Sequence, residues 1–138
     1  YFSSRPKENK QMILFCLDEF ASFGKLQITP ALRRLRKRRI RILVLTQSVS
    51  DVDMIYGKDE RIAMLGNFKF TVILGCKDTE TQEYFSKMIG EKRSLLATDP
   101  NQKRQPIIKP ADLAHLEQDL FVICDDGAIR LRKNFYFK

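Results

Sequence analysis

Residues 12–19, Met-Ile-Leu-Phe-Cys-Leu-Asp-Glu, constrain the fold of this 138-residue chain more than any other stretch. Six apolar residues run without a break and end in two adjacent carboxylates. An unbroken apolar run is expected of a strand buried on both faces, as a central strand of a parallel sheet is. The carboxyl ends of such strands form the rim where α/β sheets bind ligands, so Asp18 and Glu19 are expected on that rim. This is the form of a Walker B element. There the first acid holds Mg²⁺, commonly through water, and the second polarises the water that attacks a γ-phosphate. The same residues equally fit a buried strand that leaves the core through two acids.

A strand–helix–strand pattern extends from this first strand. Pro30-Ala31-Leu32-Arg33-Arg34-Leu35-Arg36-Lys37-Arg38-Arg39 places proline in a first helical turn and strong helix formers after it. Ile40 to Thr46 is β-branched and largely apolar, which predicts a second strand. A βαβ unit of this kind crosses over right-handed and makes the strands parallel. Gln47 then falls on the same rim as Asp18 and Glu19, where an amide suits the sensing of a γ-phosphate. The alternative for Thr46-Gln47-Ser48 is a turn or helix cap.

The rest of the chain reads as support. Asp51 to Phe68 is expected to be helical in pieces, with Ile55, Ile62, Met64 and Leu65 inward. Phe70 to Leu74 predicts a third buried strand. Thr79-Glu80-Thr81-Gln82 fits a capping box, opening a helix whose Tyr84, Phe85, Met88 and Ile89 form one apolar face before Gly90 stops it. Residues 91–109 are polar, carry Pro100 and Pro106, and read as an exposed loop. Pro110 to Leu116 predicts a short helix with His115 on its surface. Phe121–Cys124 and Ile129–Arg132, flanking Asp125-Asp126-Gly127, predict a β-hairpin. Length and composition fit one soluble domain over residues 1–138, with apolar runs far below the ~20 residues a bilayer crossing needs. Cys16, Cys76 and Cys124 lie far apart in apolar runs and read as reduced core cysteines, not metal ligands.

The net charge of +8 is local. Arg33, Arg34, Arg36, Lys37, Arg38, Arg39 and Arg41 place seven positive charges within nine residues, and the remaining 18 basic residues nearly balance 17 acidic ones. Like charges at i,i+3 and i,i+4 repel, so this is not an ordinary mixed helix face. It suits phosphates, with Arg33, Arg34, Arg38 and Arg39 as candidate contacts to a nucleic-acid backbone. A solvated helix surface is the other reading.

Taken in order, Leu17-Asp18-Glu19-Phe20-Ala21-Ser22-Phe23-Gly24-Lys25-Leu26, Leu45-Thr46-Gln47-Ser48, Ile55-Tyr56-Gly57-Lys58, Leu65-Gly66-Asn67, Asp78-Thr79-Glu80-Thr81 and Ser86-Lys87-Met88-Ile89-Gly90-Glu91 resemble the carboxyl-terminal part of the TraG/TraD family. These are coupling-protein ATPases of type IV secretion and bacterial conjugation. The resemblance spans nearly the whole chain. It implies a RecA-like, hexameric motor that passes single-stranded DNA and its attached relaxase to a secretion channel at the cytoplasmic face of the bacterial inner membrane. It also implies a trans-acting arginine eleven residues before the glutamine, a register that falls on Arg36, although Lys37 follows where family members carry glycine.

The sequence contains no Gly-x-x-x-x-Gly-Lys-Ser/Thr, so it holds no phosphate-cradling loop. Eleven residues precede the first strand and the chain starts at Tyr1. In the family it resembles, an all-helical insertion separates the phosphate loop from the Walker B strand. The resemblance therefore implies that this chain is the part from Walker B onward of a split motor domain. The fold class expected is α/β: a RecA-like P-loop NTPase half-domain with a mainly parallel sheet flanked by helices and a carboxyl-terminal hairpin. ATP and Mg²⁺ are expected in the complete protein, with Asp18 on the metal and Glu19 and Gln47 on the nucleotide. No tight binding and no turnover are expected of this chain alone. Expected partners are other copies of the subunit, single-stranded DNA, relaxosome proteins and secretion-channel components, with no membrane insertion by this piece. Two alternatives stand beside it: a nucleotide-independent docking module for relaxosome proteins or DNA, and a lobe of another RecA-like DNA translocase.

Overall fold

A computed structural model describes residues 11–93 and 104–136, and the chain divides between Phe68 and Lys69 into two compact units where the sequence suggests one domain. In the first unit, β1 (Ile13–Leu17) and β2 (Ile40–Val44) pair in parallel, from Ile13 opposite Ile40 to Leu17 opposite Val44. Between them run a 3₁₀ turn (Phe20–Phe23), α1 (Ile28–Leu35) and a second 3₁₀ turn (Arg36–Arg38). Pro30 occupies the first turn of α1, where a missing N–H costs no intrahelical bond. Ile28 is buried and Leu32 packs on the core, while Arg33 and Arg34 face outward.

The basic run is not one helix. α1 ends at Leu35, the 3₁₀ turn takes Arg36 to Arg38, and Arg39 adopts a left-handed conformation with φ 57°. Repulsion among cations three and four apart weakens the last helical turn. A left-handed residue then redirects the chain into β2.

The expectation that the first strand is buried on both faces is corrected. Ile13, Phe15 and Leu17, with Ile40, Ile42 and Val44, turn toward the core, whereas Met12, Leu14, Cys16, Leu43 and Leu45 are exposed. Parallel pairs carry helices on both faces. Among the described residues only one face is covered, so alternate side chains of an all-apolar run meet solvent. Cys16 is exposed for the same reason and is not a core cysteine.

Residues 49–65 form α2 (Val49–Tyr56) and α3 (Lys58–Leu65), joined at Gly57, whose φ of +80° is one that other residues rarely adopt. Met64 is buried and Ile55 packs against the same cluster, but Ile62 is exposed. The inward side of α3 carries Arg61, Met64 and Leu65 at i, i+3 and i+4, and Ile62 falls one residue round from it. Arg61 is 5% exposed and grips Asp53 of α2 with two parallel bonds, Nε to Oδ1 at 2.8 Å and Nη2 to Oδ2 at 3.1 Å. Phe20, Ile28, Val52, Tyr56 and Met64 form this unit's core.

In the second unit β3 (Thr71–Ile73) pairs antiparallel with β6 (Asp119–Cys124), and β6 with β7 (Gly127–Arg132). The hairpin is the expected one, with Asp125 and Asp126 as its two-residue loop. The described sheets are therefore mixed, one pair parallel and the rest antiparallel. α4 (Thr79–Ile89) is capped by Asp78, whose Oδ1 accepts the Thr81 N–H at 3.0 Å, and not by a box starting at Thr79. The Gln82 amide instead donates to the carbonyls of Cys76 and Lys77, because it is buried and those are the acceptors within its reach.

Within the expected loop 91–109, β4 (Glu91–Arg93) and β5 (Arg104–Pro106) pair antiparallel, and residues 94–103 lie outside the described set. Ile108 is buried, and its carbonyl accepts the Ser86 hydroxyl at 2.7 Å. A 3₁₀ turn (Pro110–His115) drives Leu113 fully into the core and leaves His115 exposed. Ile73, Cys76, Ile89, Leu113, Leu116 and Phe121 form the centre of the cluster. Burial pushes the Cys76 thiol above its ordinary pKa, and the neighbouring Asp78 charge adds to the rise.

Candidate functional site

The carboxyl ends of β1 and β2 stay tied beyond the sheet. The Leu45 N–H donates to the Leu17 carbonyl at 2.9 Å, and the Phe20 N–H returns to the Leu45 carbonyl at 2.9 Å. Two residues of chain, Asp18 and Glu19, are thereby folded into a turn at the rim. Glu19 sits at φ 48°, ψ 52°, one of two non-glycine residues with positive φ among those described. Such a conformation in a residue with a long side chain marks a place where the surroundings enforce it.

Three local bonds do so. Asp18 Oδ1 accepts the Glu19 N–H at 3.0 Å, and the Glu19 carbonyl accepts both the N–H and the hydroxyl of Ser22, each at 2.8 Å. Phe20 follows directly and is completely buried, anchoring the turn in the core. Asp18 and Glu19 themselves are exposed. The backbone is held while the carboxylates meet solvent.

On the neighbouring strand end, the Thr46 hydroxyl donates to the Ser48 carbonyl at 3.1 Å, and Ser48 Oγ accepts the Asp51 N–H at 3.0 Å to cap α2. Ser48 is thus a helix cap, the alternative reading of this segment. Gln47 lies between the two, exposed, on the same rim as the acids. Sequence reasoning named the two acids and the amide but not Ser22, the residue that closes the turn on Glu19. A hydroxyl three residues after a strand-end acid is its signal.

Arg36 is not brought to this rim. It precedes β2, so it stands at the amino edge of the parallel pair, with the whole length of β2, roughly 16 Å of extended chain, among the residues between it and Gln47. Arg33 Nε donates to Asn67 Oδ1 at 3.2 Å, and Arg41 Nη1 donates to the Arg36 and Ile40 carbonyls at 3.4 Å. Arg34 and Arg39 are exposed and Arg38 is half-buried. The cationic residues form a turn-shaped patch at that edge.

Among the described residues no group of three or more His, Cys, Asp or Glu could cage a metal ion. Mg²⁺ does not require such a cage, since it is typically held by one or two carboxylates together with waters and substrate phosphates. An exposed Asp18 at a strand end fits that donor set. Among the described residues no helix is long and apolar enough to cross a membrane.

A parallel strand pair with acids and an amide at its carboxyl edge is the arrangement of a RecA-like α/β fold, and comparison with known proteins agrees. The plasmid coupling protein TrwB, solved with the non-hydrolysable GTP analogue GDPNP, superposes with a TM-score of 0.80 at 29% identity, covering 97% of this chain and 34% of that one. TrwB with ADP and Mg²⁺ gives 0.79 at 28% identity with the same coverage. Protein VirD4 of Agrobacterium fabrum is 27% identical over 147 residues, covering 95% of this chain and 22% of VirD4. The conjugal transfer protein TraG of the same organism is 26% identical, covering 89% of this chain and 21% of TraG. The family described as the TraM recognition site of TraD and TraG matches residues 12–118, and the chain belongs to it. It spans about a fifth of the length of VirD4 and TraG and about a third of the TrwB chains.

Proposed function

We propose that this chain is the Walker B side of the ATP site in a conjugative coupling protein, whose complete form uses ATP to deliver relaxase-bound single-stranded DNA to a secretion channel. The observation that carries the reading is the shared rim: Asp18 and Glu19 on one strand end and Gln47 on the next, with their backbone tied and their side chains open. Family membership and the nucleotide complexes of TrwB support it. So does the open apolar face of β1 and β2, which suits burial under the rest of a larger motor domain.

In this reading Asp18 would hold Mg²⁺, through water, and the bound ion would supply charge to neutralise the phosphates. Glu19, held in its left-handed turn, accepts a proton from the attacking water. Gln47 would donate an amide N–H to the terminal phosphate and report its loss. The phosphate cradle comes from sequence outside this chain. Arg36, on the opposite edge, suits contact with the site of a second copy in a ring, and Arg33, Arg34, Arg38 and Arg39 suit DNA phosphates. Relaxosome proteins and channel components are the further partners, at the cytoplasmic face of the inner membrane.

Glu19→Gln tests this in the full-length gene product. ATP binding is expected to persist while turnover falls by roughly 10²-fold or more, the scale of a lost general base. Asp18→Asn is expected to weaken Mg²⁺-dependent binding instead. Parental turnover in both variants would reduce the two acids to a solvated strand end. A second reading, a docking module for relaxosome proteins, is favoured by the family's description as a TraM recognition site. Retained partner binding by the 138-residue chain, alongside unchanged ATPase in Glu19→Gln, would select it.

A further inference from the structure

We infer that Tyr56 is a positioning residue for Glu19, a clamp that holds both ends of the acidic loop from the last turn of α2. The inference rests on the reading of Glu19 as the hydrolytic carboxylate. The ring of Tyr56 stacks on Phe20, the residue directly after Glu19, with centroids 5.3 Å apart and planes 10° from parallel. Its hydroxyl reaches the far end of the same loop, accepting the Leu26 N–H at 2.9 Å and donating to the Gly24 carbonyl at 3.2 Å. One side chain thus grips residues 20, 24 and 26 together.

The loop needs such a grip. Glu19 holds a costly backbone conformation, and Gly24, at φ +68°, turns the chain again five residues later. Local bonds from Asp18 and Ser22 shape the turn, but they move with the loop. Tyr56 belongs to a separate helix, and that helix is fixed in turn. Ser48 caps its start, Gly57 ends it, and the buried Asp53–Arg61 pair joins it to α3. Gln47 immediately precedes the same cap. The eight-residue helix therefore has the amide at one end and the clamp at the other.

A purely structural role would use only the ring, because stacking and burial are available to phenylalanine. The two hydroxyl bonds are what distinguish a clamp from core filling. Tyr56→Phe is therefore the informative change. In the full-length gene product it should lower kcat for ATP by roughly tenfold, below the ~10²-fold that a 1 Å misplacement can cost, and leave KM within about twofold. In the 138-residue chain, amide exchange at Leu26 should accelerate about tenfold or more, while Phe15 in β1 stays protected. Met64→Val, in the same core but with no bond to the loop, serves as control, and at a matched loss of Tm it should keep parental kcat.

Unchanged kcat in Tyr56→Phe, in a protein where Glu19→Gln abolishes turnover, would overturn the clamp and leave the catalytic reading standing. An equal kcat loss in Met64→Val at matched Tm would also overturn it, since general loosening would then account for the effect. Full turnover in Glu19→Gln would overturn the catalytic reading and the inference with it.

Discussion

In the first unit a group of polar residues stands where the chain turns, and in the second several serve the backbone around an apolar core. Asp18, Glu19, Ser22, Thr46 and Gln47 gather at two strand ends, and thirteen basic against seven acidic residues give that half most of the chain's charge. In the second half, Asp78, Gln82 and Ser86 each satisfy a backbone group and the charges nearly balance, twelve basic to ten acidic. A parallel pair ends in a rim of unpaired strand ends, which can be fitted with chemistry. An antiparallel hairpin closes on itself in a two-residue turn and leaves less room for it.

The contrast can be broken first at Asp53. It is the carboxylate partner of the buried Arg61, and its removal takes away the two parallel bonds that hold that guanidinium in the core of the first unit. Asp53→Ala is expected to cost about 3–5 kcal/mol. Urea titration followed by amide exchange would show the loss in α2, α3 and the β1–β2 pair. A loss under about 1 kcal/mol, the scale of an exposed ion pair, would mean the pair is solvated and does not organise this unit.

The corresponding probe of the second unit is Leu113→Ala. That side chain is fully buried in an apolar cluster, so truncation should cost about 2–5 kcal/mol, with protection lost in β3, β6 and α4. Equal loss at Phe15 and Ile42 would show that the two clusters behave as one core, and the contrast between them would fall.

A third test concerns the charge difference. If four or five cations between Arg33 and Arg41 meet phosphates, single-stranded DNA affinity should fall with salt at a log–log slope of roughly −3. Sequence preference should be slight, because phosphate contacts fix position and not base identity. Changing Arg33, Arg34, Arg38 and Arg39 to glutamine should flatten the slope, read by fluorescence anisotropy. Arg33 also bonds Asn67, so a Tm check separates lost binding from lost structure. The same slope in the substituted chain would assign the patch to subunit contact or to solvation.

These tests also mark what could be read from residues alone. The βαβ order, the rim acids and the carboxyl-terminal hairpin were legible because apolar periodicity and turn chemistry are local signals. The open face of β1 was not, because an apolar run reports what a strand is built to bury and not what covers it. The inward Arg61 was missed because hydropathy places an arginine outside, while its pairing with Asp53, eight residues earlier, satisfies it inside. Within the candidate site, residue types were visible and conformation was not. Nothing in Leu17-Asp18-Glu19-Phe20 announces a left-handed glutamate.

That conformation supplies the smallest effect. A left-handed residue with a Cβ and a long side chain is destabilised by roughly 1–2 kcal/mol, and asparagine tolerates the region better. Glu19→Asn should therefore raise the stability of the 138-residue chain by up to about 1 kcal/mol, read as a higher urea midpoint at unchanged m. In the full-length gene product the same change should abolish hydrolysis, because the shorter amide can neither reach nor accept the proton. Stability gained where turnover is lost is the signature of a residue kept for chemistry at the expense of folding. No comparable gain is expected from any capping residue of the second unit, where Asp78→Ala should instead cost about 1 kcal/mol. If Glu19→Asn lowers the midpoint, the turn is not strained, and the rim is held by ordinary loop contacts like those of the other half.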